Sequence, residues 1–202
     1  MAALVRYLTH PQVRIDPEVD VPDWGLSPEG RARVMGLAHS TGLAGTTRVI
    51  SSRETKAVET ARPLAEALGA ALEIRDGLHE NDRSATGYLP GPEFEALADR
   101  FFARPDQSAA GWETARDAST RICRAVDQAL AGHGPGDVLF VGHGGVGTLL
   151  WCALSGVPID RKHDQGPGGG GNWFGFDLTG RRPLTGWQPL ETLIPPGARG
   201  GS

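Results

Sequence analysis

Two histidines stand at positions suited to chemistry in an α/β chain. His10 follows the short β-rich run "ALVRYL" within "VRYLTHPQV", and His143 follows the nearly all-apolar run "DVLFVG" within "VGHGGVG". An imidazole there could be a nucleophile, a metal ligand or a plain loop residue. Two further strand-like runs end in polar residues. "TRVISS" closes on Ser51-Ser52-Arg53, with Lys56 one helical turn later, and "ALEIRD" leads into "LHENDRSATGY", which carries Glu80, Asp82 and Arg83. Taken singly, a loop histidine is structural, Lys56 is a solvated helix residue and Glu80 is a loop carboxylate. Two imidazoles, several cations and an acid at one rim of a sheet are a better basis for a site than any single motif.

The elements that would position them alternate between strand and helix patterns. Strand-like runs cover residues 3–8, 47–52, 71–76, 137–142 and 172–178. Between them lies a helix with Ser27 as N-cap and Pro28 at its first position, in "SPEGRARVMGLAHS". A second, "ETKAVETARPLAEALG", has Val58, Ala61, Leu64, Ala65 and Leu68 at helical spacing and Gly69 as its stop. "PEFEALADRFFA", a run from Thr114 to Ala131 with an Ala118–Ile122–Val126–Leu130 stripe, and "VGTLLWCALSG" are also helical. The segment from Gly77 to Pro92 is irregular and would form a substrate-facing wall, because it carries Glu80. This alternation predicts one three-layer α/β domain over residues 1–190, with a mostly parallel central sheet flanked by helices and a disordered tail over 191–202. In such a sheet ligands bind beyond the carboxyl ends of the strands.

Composition narrows the function. The chain has 202 residues, 39% of them hydrophobic and 22% charged, and a formal net charge of −4. No global basic field would hold nucleic acid or an anionic membrane, so an anionic substrate must be attracted by local groups. No apolar run is long enough to span a bilayer, and "MAALVRYL" lacks the pattern of a leader. Cys123 and Cys152 form neither a CxxC motif nor a disulfide framework, which fits a reduced, cytoplasmic setting. Exposed apolar residues on the last strand would support a homodimer.

Two other site chemistries are weaker. "VGHGGVG" matches G-x-G-x-x-G literally, through Gly142, Gly144 and Gly147, yet a turn-rich "PIDRKHDQGPGGGG" stands where a dinucleotide fold needs a second strand ending in an acid. There is no HExxH, close His/Cys cluster or Asp-rich loop, so neither a metal nor another cofactor is expected. His39, His79, His133 and His163 are read as surface or packing residues. The glycines at 166–171 read as a flexible turn bordering the site, without the GK[ST] of a P-loop.

In order and spacing the chain resembles the histidine phosphatase superfamily, the phosphoglycerate mutase-like fold, from about residue 3 to residue 178. That family's Arg-His-Gly is matched by Thr9-His10-Pro11, and its "LTxxGxxQA" by "LSPEGRARV". Its "SSPLxRAxQTA" is matched by "SSRETKAVETA", its "LxE" by "LHENDRSATGY", and its "VSHGG" by "VGHGGVGTLL". The resemblance implies a nucleophilic His10 that is phosphorylated in turnover, a general acid at Glu80, and a His143 that stabilises the transferring group. It places Thr9, Arg53, Lys56, Arg83 and Gly144 at substrate-binding positions.

The departures are specific. Thr9 and Lys56 replace the family's two arginines, and Pro11 replaces its glycine. A hydroxyl and an ammonium do not reproduce two bidentate guanidinium forks. Arg53, Arg14 and Arg83 are the cations available to rebuild the pocket. The leading expectation is a metal-free phosphohydrolase acting on a small phosphorylated metabolite. A mutase is less expected, since it must hold a phosphoenzyme against water in a depleted cradle. The alternatives are a member that only binds a phosphorylated or carboxylated ligand or a partner protein, and one that reuses the same residues for other acid–base or lyase chemistry.

Overall fold

The computed structural model describes residues 3–196. Five principal strands, β1 (Leu4–Thr9), β2 (Thr46–Ser51), β3 (Ala71–Ile74), β4 (Asp137–Gly142) and β5 (Asn172–Asp177), and a short β6 (Gln188–Pro189) form one sheet in the order β3-β2-β4-β1-β5-β6. The β3-β2-β4-β1 pairings are parallel, whereas β5 and β6 join antiparallel at the far side. Five helices cover the faces: α1 (Pro28–Ala38), α2 (Thr55–Leu68), α3 (Gly91–Ala103), α4 (Ala115–Leu130) and α5 (Gly144–Ser155). This is the single α/β domain with a mostly parallel sheet that the alternation predicts. Among the described residues no helix is long and apolar enough to cross a membrane.

The period-2 alternation of the strands divides the core. On β4, Val138 and Phe140 face the cluster containing α4 and α5 residues, whereas Leu139 and Val141 face the one containing α1 and α2 residues. All four are at most 1% exposed, as a strand covered on both faces requires. The local signals also hold. Ser27 Oγ accepts the Gly30 N–H at 3.1 Å, Gly69 closes α2 at φ 61°, and the Ala118–Ile122–Val126–Leu130 stripe is buried.

Two expectations about the chain's end are corrected. Leu190–Leu193 form a 3-10 turn with Leu190 and Leu193 buried against the α1–α2 side of the sheet, and Glu191 pairs with Arg33 at 2.7 Å. The ordered fold therefore runs past residue 190, while residues 197–202 of the expected tail lie outside the described residues. The last principal strand shows no exposed apolar face either. Phe174 and Phe176 are fully buried, and Phe174 stacks on Tyr7 at 5.4 Å and meets Trp187 edge-on at 4.8 Å.

Leu190→Ala should cost about 2–4 kcal/mol of unfolding free energy, read as a shift in the urea midpoint. A midpoint equal to the parent's would mean that this segment is not part of the cooperative core.

Candidate active site

The carboxyl ends of β1, β2 and β4 meet at one rim. The parallel ladders continue one residue beyond the strands, with the His10 N–H donating to Gly142 O at 3.0 Å and the Ser52 N–H to Val141 O at 3.1 Å. The two imidazoles consequently lie 5.3 Å apart between centroids, at 67°. Tyr7, one turn of the pleat below, fixes the second of them. Its hydroxyl donates to His143 O at 3.2 Å and accepts the His143 N–H at 3.1 Å. A Cβ at Gly142 or Gly147 would fall 2.3 or 2.6 Å from Tyr7 atoms, so these glycines of the G-x-G-x-x-G pattern make room for a phenol.

His10 is held as a single tautomer. Its Nδ1 lies 2.9 Å from Pro11 O, and a carbonyl can only accept, so the proton is on Nδ1 and Nε2 keeps its lone pair. Burial, followed by the neighbouring His143, pushes its pKa down to about 3. The ring is therefore neutral at physiological pH, as a nucleophile must be. The glycine run buttresses it from behind, for the Gly171 N–H donates to His10 O at 3.0 Å, and Arg33 ties down Gly170 O and Gly171 O at 3.0 and 3.2 Å.

His143 and Lys56 converge on a carboxylate that the sequence reading passed over. Glu54 is the N-cap residue of α2, yet its side chain makes no cap bond. It turns inward, 2.5 Å from Lys56 Nζ and 3.4 Å from His143 Nε2, and accepts the Glu80 N–H at 2.8 Å. Burial opposes its ionisation, but His143 and Lys56 outweigh that and hold it well below the usual carboxylate range. Lys56 also donates to Val21 O at 2.7 Å and is only 4% exposed. His143 Nε2 is 2.8 Å from Ser52 Oγ, and its Nδ1 is buried without a partner. Burial pushes the pKa of His143 down, against the opposing pull of Glu54 and Glu80.

Glu80 sits on the amino end of α5. Its carboxylate accepts the N–H groups of Gly145, Val146 and Asn81, each at 3.0 Å, where the helix dipole favours negative charge. Burial works against this charge, but His143, Arg83 and the Asn81 N–H prevail, and its pKa is lowered. Arg121 of α4 organises the loop behind it by donating to Gly77 O and His79 O at 2.9 Å and pairing with Glu113 at 2.7 Å. Above lies a cavity of about 810 Å³, whose lining includes Arg53, Glu54, His79, Glu80, Asn81 and Arg83. The expected irregular segment thus supplies one wall, though it ends at residue 90, before α3 begins.

His10, Lys56, Glu80 and His143 are brought together, and Gly144 opens α5 beside them with an N–H that has no acceptor within the helix. Arg53 lies at the cavity rim, paired with Asp76, and Arg83 is stacked over Phe94 at 4.9 Å. Thr9 is placed otherwise. Fully buried, its hydroxyl accepts the Asn172 N–H at 3.0 Å and donates to Gln165 Oε1 at 2.7 Å, so it ties β1 to β5 and offers no donor to a ligand. Arg14 pairs with Asp16 at 3.5 Å in a separate depression. Sequence reasoning missed Glu54, Asn81 and Arg121, and it set His79 aside. Only Glu54 left a signal, as an acid where the family pattern "SSPLxRA" has leucine. Among the described residues no cluster of three or more His, Cys, Asp or Glu could hold a metal ion.

The family model of the histidine phosphatase superfamily (branch 1) matches residues 10–172, and the chain belongs to that superfamily. Among solved structures, YhfR of Bacillus stearothermophilus superposes with a TM-score of 0.76 at 21% identity, covering 91% of this chain and 95% of that one. A mycobacterial glucosyl-3-phosphoglycerate phosphatase in complex with inorganic phosphate gives 0.72 at 22% identity, over 93% and 95%. The α-ribazole phosphatase of Shigella flexneri gives 0.64 at 17%, over 89% and 93%. No curated protein matches. These likenesses establish the phosphoglycerate mutase-like fold.

A histidine whose pKa is lower folded than unfolded destabilises on acidification, because the unfolded chain takes up the proton first. For His10 that loss begins near pH 6.5 and continues towards pH 3. It should amount to on the order of 2 kcal/mol by pH 5. His143 and His79 act in the same direction. Unfolding free energy measured from pH 7 to pH 5 should fall, and fall less steeply in His10→Asn. Equal slopes would mean that His10 is not held neutral by the fold.

Proposed function

We propose that this protein is a phosphohydrolase that removes a phosphoryl group from a small phosphorylated metabolite through a phosphohistidine on His10. The observation that carries this reading is the single tautomer of His10. With Nδ1–H bound to Pro11 O, the free Nε2 stands at the same rim as His143 and Glu80, and Glu80 and Glu54 line a cavity of about 810 Å³. That volume suits a small metabolite. The superfamily match and the two named phosphatases among the structural neighbours support the same chemistry.

In the first step Nε2 forms the N–P bond as the ester P–O bond breaks, and Glu80 gives its proton to the departing oxygen. In the second, water attacks phosphorus, Glu80 takes back a proton, and inorganic phosphate leaves with His10 restored. Charge spreading over the phosphoryl oxygens is met by the Gly144 N–H, Lys56 and His143. Glu80 is ionised in the resting site and must carry a proton to act as acid. The approach of the anion raises its pKa only far enough to populate a minor protonated fraction, which supplies the acid, and kcat/KM is expected to fall as pH rises from 5 to 8.

Glu54 favours a second reading. Its carboxylate neutralises Lys56, which stands where the family pattern has an arginine. A member that binds a phosphorylated or carboxylated ligand without turnover, or uses the same residues for other acid–base chemistry, follows from that charge balance.

Hydrolysis of p-nitrophenyl phosphate and a panel of phosphometabolites, at acidic and neutral pH, separates the two. The parent should turn over and form an acid-labile phosphoprotein. His10→Ala should lose activity by on the order of 10³-fold or more, and Glu80→Gln by about 10²–10⁴-fold on substrates with poor leaving groups. Folded protein that binds these esters but hydrolyses none would establish the second reading.

A further inference from the structure

The cradle around His143 is short of positive charge and contains a carboxylate in contact with it. Glu54 Oε1 is 3.4 Å from His143 Nε2, and Ser52 Oγ is 2.8 Å from the same nitrogen. The negative charge of Glu54 beside Nε2 favours the tautomer with the proton on that nitrogen, where Ser52 Oγ accepts it. The neutral ring then has a bare lone pair on Nδ1, buried and without a partner. A lone pair cannot meet a phosphoryl oxygen, which needs a donor. Nor are other donors plentiful. The Thr9 hydroxyl is spent on Asn172 and Gln165, Lys56 is bound to Glu54 and Val21 O, and Glu80 holds two of the α5 N–H groups.

We propose that Glu54 is a positioning residue that couples anion binding to protonation: as the phosphoryl group enters, His143 takes one proton from solvent at Nδ1. The resulting imidazolium lies between two anions, with Nε2–H towards Glu54 and Nδ1–H towards the phosphoryl oxygens. This rests on the phosphoryl-binding reading of the site and assigns the cation that replaces the missing guanidinium groups. The charged and titratable groups facing His143 are Glu54 and Lys56 from the start of α2, Glu80 and Arg83 from the 77–90 wall, and His10 from the end of β1. The two carboxylates favour the imidazolium and Lys56 and Arg83 oppose it. Burial keeps the ring neutral in the empty site, and a bound dianion adds the further negative charge that reverses the balance. Above the pKa of the free ring, affinity for a dianion should fall by up to about tenfold per pH unit.

Tungstate is a suitable probe, being a phosphate mimic that stays dianionic through neutral pH. Calorimetric titration of the whole protein at pH 7.5, in buffers of low and high ionisation enthalpy, reads protons taken up per ligand. The parent should take up close to one. Glu54→Gln should bind tungstate more weakly with uptake near zero, and Glu54→Asp should recover part of it. Binding without uptake, or uptake that persists in Glu54→Gln because Glu80 receives the proton, would overturn the coupling and leave the phosphoryl-binding reading intact. No binding by the folded parent would overturn both. Should Glu54→Gln not fold, ¹⁵N-histidine spectra of the parent decide alone. The His143 ring should pass from a neutral Nε2–H form to the imidazolium on adding tungstate, and a ring that remains neutral would refute the proposal.

Discussion

 The pairing of β1 with β4 is the constraint on which the rest of the site depends. The starts of these strands, Leu4 and Asp137, are 133 positions apart in sequence, yet the strands run side by side in register from Val5↔Val138 to Thr9↔Gly142. Because both strands run the same way, each delivers the residue after its last pair to the same rim, and those residues are His10 and His143. A parallel ladder needs crossover helices, and these cover both faces and leave the strand ends as the open ground of the fold. The Tyr7 hydroxyl, bonded to both backbone groups of His143, carries the register of β1 into the position of the second imidazole.

Charge is distributed at this rim in an unusual way for a site that would receive an anion. Lys56 and Glu54 neutralise each other in near-complete burial, and Glu80 occupies the helix terminus that would otherwise offer its N–H groups. A buried ion pair of this kind is costly to assemble and stays only where further hydrogen bonds satisfy it. Here Val21 O and the Glu80 N–H do so. The same bonds tie the start of α2 to the loop after β1 and to the loop carrying Glu80, so the three segments around the cavity are fastened to one another through a single carboxylate and a single ammonium.

The wall that bears Glu80 depends on α4. Residues 77–90 have few backbone partners of their own, and Arg121 takes up the carbonyls of Gly77 and His79 while its other edge is held by Glu113. A loop can present a carboxylate in a fixed place only when its backbone polar groups are satisfied in this manner. The glycine run at 166–171 does the corresponding work on the other side of His10, through Arg33 and the Gly171 N–H.

By itself the sequence determined the alternation of strands and helices, the caps at Ser27 and Gly69, the central place of β4, and the convergence of His10, His143, Lys56 and Glu80. Those features follow from periodicity, capping chemistry and the rule that strand ends carry ligands, all of which are local or topological. The resemblance supplied the order of the motifs. Only the tertiary structure decided what each polar side chain binds. Thr9 looked available and is spent on β5, because the closing strand arrives from 163 positions away. Glu54 looked like a helix-start residue and is the partner of His143 and Lys56, because burial leaves a carboxylate no solvent and forces it onto the nearest donors. The 3-10 turn at Leu190–Leu193 carried no periodic signal, and its leucines are core only because α1 and α2 leave a gap that they fill. Partners distant in sequence are fixed by packing, and no local pattern encodes them.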